Sequence, residues 1–140
     1  MGISIDKKGE PSKFAMTMGY GAFFRLRSKI AQLIDEDLGR AYSGLLNNTE
    51  DAIAESERVI NNKDLCKTKS DERLFDFLFA PDCGGKTTYG TCKKILKLVE
   101  NENDTDLYGY AGWGDKCSTM GNFKNLLREC IRDKKTLYWR

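Results

Sequence analysis

Apolar residues recur at helical spacing through most of the chain and alternate with polar ones near its two ends. In Ala22–Ile34, Phe23, Leu26, Ile30 and Leu33 fall three or four residues apart, which predicts an amphipathic helix. Arg25, Arg27 and Lys29 fall mostly off that stripe. Asp35-Glu36-Asp37 and Gly39 loosen the pattern, and Leu38, Tyr42, Leu45 and Leu46 resume it. After Asn47-Asn48, Thr49 opens a polar helix running to Ile60, and Asn61-Asn62-Lys63 ends it. Leu74, Phe77 and Leu78 form the inward face of a short helix capped by Ser70 and stopped before Pro81. Tyr89, Cys92, Leu96 and Val99 make the next stripe, started by Thr87 or Thr88. Met120, Phe123, Leu127, Cys130 and Ile131 make the last, started by Ser118.

Strand patterning is confined to the ends. Phe14, Met16 and Met18 alternate with Ala15 and Thr17, as one buried face of a strand requires. Thr136–Trp139 reads as a terminal strand. Residues 1–12 are polar and carry Gly9-Glu10-Pro11, so this end is either flexible or a short edge strand at Ile3 and Ile5. The expectation is a single α+β domain. Four or five helices pack on a small two- or three-stranded sheet that joins the terminal strands.

A length of 140 residues suits one domain, and 40% hydrophobic residues are enough for a core. Residues 1–70 carry 11 basic and 10 acidic side chains; residues 71–140 carry 12 and 11. That balance leaves no basic arm, so nucleic acid is a disfavoured partner. A nucleic-acid surface would have to gather Lys93, Lys94, Lys97, Lys124, Arg128 and Arg132 on the last two helices, with Tyr138 and Trp139 stacking on bases. The chain has no histidine, which removes every imidazole-based mechanism. Cys66, Cys83, Cys92, Cys117 and Cys130 include no C-x-x-C pair and no finger-like spacing, so neither a metal nor a cofactor is expected. Free thiols, with no signal-like apolar run at the start and no stretch of bilayer length, indicate a cytoplasmic protein without a membrane partner.

Three segments carry candidate chemistry. Ala80-Pro81-Asp82-Cys83-Gly84-Gly85-Lys86-Thr87 satisfies the permissive Walker A pattern. A phosphate-cradling loop follows a buried parallel strand and opens a helix. Here the preceding residues read better as helix, and no later apolar run ends in a magnesium-binding aspartate. A glycine turn before a capped helix is the simpler reading, with anion binding through Asp82, Gly84, Gly85 and Lys86 the alternative. Tyr108-Gly109-Tyr110-Ala111-Gly112-Trp113 interleaves aromatics with glycine, as binding loops do, unless its rings tuck into the core. Tyr20, Arg25 and Arg27 open a helix whose dipole the arginines oppose, so they are candidates for clamping an acidic partner. Asp35, Glu36 and Asp37 are adjacent, point in different directions and form no acid–base pair.

Asp82-Cys83-Gly84-Gly85 ahead of a helix, Gly21-Ala22-Phe23-Phe24-Arg25-Leu26-Arg27 at the first helix start, and the Phe123–Trp139 helix and strand form a pattern together. It resembles a group of small bacterial and phage-borne proteins with a Ser-Asp-Cys-Asp-Gly turn before a helix. This chain has Pro81 and Gly84 where that pattern has Ser and the second Asp, which removes a paired-carboxylate cation site. The resemblance implies one domain in a cytosolic setting and transfers no activity. The sequence thus points away from an enzyme and towards a cytosolic interaction protein: a small inhibitor, an immunity-type protein or a phage-related partner. A binder of nucleotides or other phosphorylated small molecules through Gly84–Thr88 is the alternative, and nucleic-acid binding the third reading.

Overall fold

The computed structural model describes residues 2–46, 49–108 and 118–140. Strand β1 (Gly2–Lys7) pairs antiparallel with β2 (Met16–Gly19), setting Ile3 opposite Met18 and Ile5 opposite Met16. Its other side pairs with β4 (Leu137–Trp139), which in turn carries β3 (Gly85–Thr87). The order β2-β1-β4-β3 makes the N-terminal strand interior rather than an edge. Asp6 holds the turn that follows it, its Oδ1 accepting from the Lys7 and Ser12 amides at 2.7 and 2.9 Å. The period-two pattern buries Ile3, Ile5, Met16, Met18, Leu137 and Trp139 on one face and leaves Ser4, Thr17 and Lys86 exposed on the other.

Among the described residues six α-helices accompany the sheet: α1 (Tyr20–Ile34), α2 (Glu36–Ser43), α3 (Thr49–Asn62), α4 (Lys69–Phe79), α5 (Tyr89–Val99) and α6 (Met120–Asp133). A 3-10 turn, Gly44–Leu46, follows α2. The architecture is α+β. It has one strand and one helix more than the patterning suggests, because β3 lies in a glycine-rich segment and Asp35 divides what reads as one loosened stripe. Asp35 ends α1 and caps α2, accepting from the Asp37 and Leu38 amides. Gly39 lets these helices touch, since a Cβ there would lie 2.7 Å from the Gln32 backbone.

Two caps differ from expectation. Thr68, not Ser70, starts α4, because Asp71 reaches back to complete a capping box. Thr119, not Ser118, starts α6; the Ser118 hydroxyl donates instead to the Thr17 carbonyl at 2.6 Å and ties α6 to β2. Thr88 caps α5.

Two buried lysines staple the fold. Lys7 points inward from β1 and donates to Glu129 and Asp133 of α6, each at 2.8 Å. Those hydrogen bonds raise its pKa above the ordinary lysine value. Lys124 donates to the Glu100 and Glu102 carbonyls at 3.2 and 2.5 Å and to Asp104 at 2.6 Å, closing the end of α5. It is therefore withdrawn from any basic surface patch. Cys92 and Cys130 are wholly buried small hydrophobes; the hydrogen bond that the Cys92 thiol donates to Cys130, and then burial, hold the Cys92 thiol far above its ordinary pKa.

Candidate functional site

Three helices turn one face towards a common groove, each at the spacing that stacks side chains along a helix. α1 supplies Tyr20, Phe24 and Arg27, at i, i+4 and i+7. α3 supplies Ile53, Glu57 and Ile60 at the same spacing. α4 supplies Glu72, Phe75, Asp76 and Phe79, at i, i+3, i+4 and i+7. Tyr42 of α2 and Leu45-Leu46 of the 3-10 turn complete a cavity of about 760 Å³.

Its floor is an aromatic ladder. Phe24 stacks on Tyr42 with ring centroids 5.3 Å apart, and Tyr42 meets Phe79 at 5.5 Å. The Tyr42 hydroxyl is fixed by a 2.6 Å bond to the Leu78 carbonyl, and burial pushes its pKa up to about 12. It acts as a neutral, rigid wall rather than as a titrating group.

Arg27 lies beneath the groove with its guanidinium 4.5 Å from the Phe23 ring centroid. It donates to the Phe77 and Ala80 carbonyls at 3.1 and 2.7 Å and pairs with Asp82. Trp139 lies nearby, its Nε1 donating to the Pro81 carbonyl at 3.0 Å and its ring packed against Phe23 and Phe77. The Arg27 charge is thus spent on the chain's own backbone and on Asp82, so it braces the groove rather than waiting for an external anion.

Several apolar side chains of the groove are exposed. Tyr20, Leu46, Ile53 and Phe79 are four of the six large hydrophobics that remain exposed among the described residues, and all four line this groove. Leu46 is 71% and Ile53 42% exposed. Scattered surface hydrophobics are ordinary, but a contiguous set around a concavity marks an interaction surface.

Of the residues singled out from sequence, the structure brings Tyr20, Arg27 and Asp82 together here. Arg25 turns away, its guanidinium 5.5 Å from the Tyr108 ring centroid and 3.4 Å from the Leu107 carbonyl. Tyr108 is buried. Tyr110 and Trp113 lie outside the described residues. The Gly84–Thr88 segment is not a free turn: Gly85, Lys86 and Thr87 pair antiparallel with β4, following a helix rather than a parallel strand. Gly85 is required there because a Cβ would strike the Trp139 indole. Lys86 projects from the exposed face of that strand, and the Thr88 hydroxyl takes the Thr91 amide at the start of α5.

Sequence reasoning missed Phe24, Leu46, Ile53, Phe75 and Phe79. For α4 the available signal is breadth: Leu74, Phe75, Phe77, Leu78 and Phe79 span more than one helical stripe, and the fold buries the first four and leaves Phe79 exposed. Among the described residues no helix is long and apolar enough to cross a membrane, and no cluster of three or more His, Cys, Asp or Glu could hold a metal ion. No family model, curated protein or solved structure matches the chain.

Proposed function

We propose that this chain is a non-enzymatic interaction protein whose working surface is the groove between α1, α2, α3 and α4. One observation carries the proposal: the convergence of exposed Tyr20, Leu46, Ile53 and Phe79 on a single concavity with a rigid aromatic floor. Interfaces draw their affinity from such apolar anchors surrounded by a polar rim. A pocket for a small molecule normally encloses most of its ligand; a rim as open as Leu46 fits the broad surface of another protein better. The absence of histidine and the internal use of Arg27, Lys7 and Lys124 support a binding role over a catalytic one. Free thiols at Cys66, Cys83, Cys92 and Cys130 fit a reducing compartment, where an inhibitor or immunity-type partner would act.

The experiment is capture from the native host with three baits: the wild-type chain, Ile53→Asp, and Lys86→Glu. The proposal expects one protein to be retained at equal stoichiometry by wild type and Lys86→Glu and to be released by Ile53→Asp. Retention by all three, or release by Lys86→Glu alone, contradicts it.

A further inference from the structure

The groove carries charge as well as apolar surface, and its sign selects an occupant. Four carboxylates line it, from Glu57, Glu72, Asp76 and Asp82, against the single guanidinium of Arg27. Asp82 is neutralised by Arg27, and Glu72 has only Lys69 at 4.0 Å. Among the described residues Glu57 and Asp76 form no ion pair. They are exposed, on α3 and α4, beside the groove's apolar lining. A chain of formal charge +2 has thus set acidic groups around an apolar concavity, two of them, Glu57 and Asp76, without an ion pair among the described residues.

We infer that the groove takes an amphipathic helix of a partner protein, its apolar face carrying Leu-like anchors at i, i+3/i+4 and i+7 and its flanks carrying Lys or Arg. This rests on the groove being the binding surface. Helices lay apolar faces into grooves walled by other helices, using anchors at that spacing. Basic flanks meet Glu57, Glu72 and Asp76 at the rim, where complementary charge sets partner choice and speeds association. An acidic helix would place like charges against unpaired carboxylates and be rejected.

The test is fluorescence anisotropy with three labelled 18-residue peptides: a Leu/Lys amphipathic helix, a Leu/Glu helix of the same apolar face, and a scrambled Leu/Lys sequence with no continuous face. The Leu/Lys helix should bind at least tenfold more tightly than either other peptide, and more weakly as salt rises. Glu57→Lys with Asp76→Lys, both at exposed positions, should lower its affinity at least tenfold and raise that of the Leu/Glu helix. Equal binding of the Leu/Lys and Leu/Glu helices overturns the charge inference and leaves the groove as the surface. Equal binding of the scrambled peptide overturns it too, reducing the effect to bulk charge. If neither ordered helix binds, the inference and the groove reading both fall. Sedimentation of the chain alone supplies the remaining outcome: a dimer abolished by Ile53→Asp gives the groove to a second copy and overturns the inference.

Discussion

Arg27 and Asp82, 55 residues apart in the chain, are joined by an ion pair below the groove, and the same guanidinium donates to the Phe77 and Ala80 carbonyls. One buried cation thereby fixes the C-terminal end of α4 against α1 and holds Phe79 at the groove's wall. Arg27→Met would leave both carbonyls unpaired and should lower unfolding stability by about 3 kcal/mol. Asp82 is half exposed, so solvent already screens its charge and Asp82→Asn should cost no more than about 1 kcal/mol. Urea unfolding of both variants checks the asymmetry; equal losses would place the importance in the ion pair instead of the carbonyls.

Lys124 gives a second such test. Its ammonium satisfies the Glu100 and Glu102 carbonyls, while its partner Asp104 is largely exposed. Lys124→Met should destabilise by about 2 kcal/mol through the orphaned carbonyls. Asp104→Asn should cost much less. A Lys124→Met variant with an unchanged urea midpoint would show that water replaces the lysine without loss.

Acid should unfold the chain in a defined window. Asp71, at about 2, and Asp104, Glu129 and Asp133 are all held below the ordinary carboxylate range, by hydrogen bonds from Lys94, Lys124, Lys7 and Arg132 respectively. The folded state therefore takes up these protons less readily than the unfolded chain, whose carboxylates titrate near pH 4. Their stabilisation is complete above about pH 4 and lost as pH falls towards 2. Lys7, shifted up, has the opposite sign, and its contribution disappears only as pH rises beyond the ordinary lysine range. Urea midpoints across pH should show a steep acid limb that Asp71→Asn makes shallower. A flat acid limb in the wild type would contradict the paired carboxylates.

Gly85 and Trp139 are in direct contact, and the indole is locked by Pro81. Gly85→Ala should displace the ring, cost about 1–3 kcal/mol by overpacking and redden tryptophan emission. Unchanged emission and stability would mean that β3 can move away from the ring at no cost.

Much of this fold is legible in the sequence. The stripe from Phe23 to Leu33 and the alternation at Met16 and Met18 each report burial directly, so α1 and β2 follow from spacing. What was hidden depends on contacts distant in sequence. Lys86 belongs to a strand only because β4 offers an edge to it. Lys124 leaves the surface only because the end of α5 presents carbonyls within its reach. Of the candidate residues, Tyr20, Arg27 and Asp82 were visible as unusual chemistry. Ile53 and Phe79 were not, since an exposed hydrophobic residue looks like a core residue until the fold shows it uncovered.

The central claim, that the groove is the binding surface, is tested most directly by amide hydrogen exchange with and without the saturating Leu/Lys helix. Slowed exchange should appear in residues 20–27, 42–46, 53–60 and 72–80, with residues 3–7, 84–88 and 123–139 unchanged. Protection centred on residues 84–88 or on the C-terminal helix, with the groove-lining segments unaffected, would contradict it.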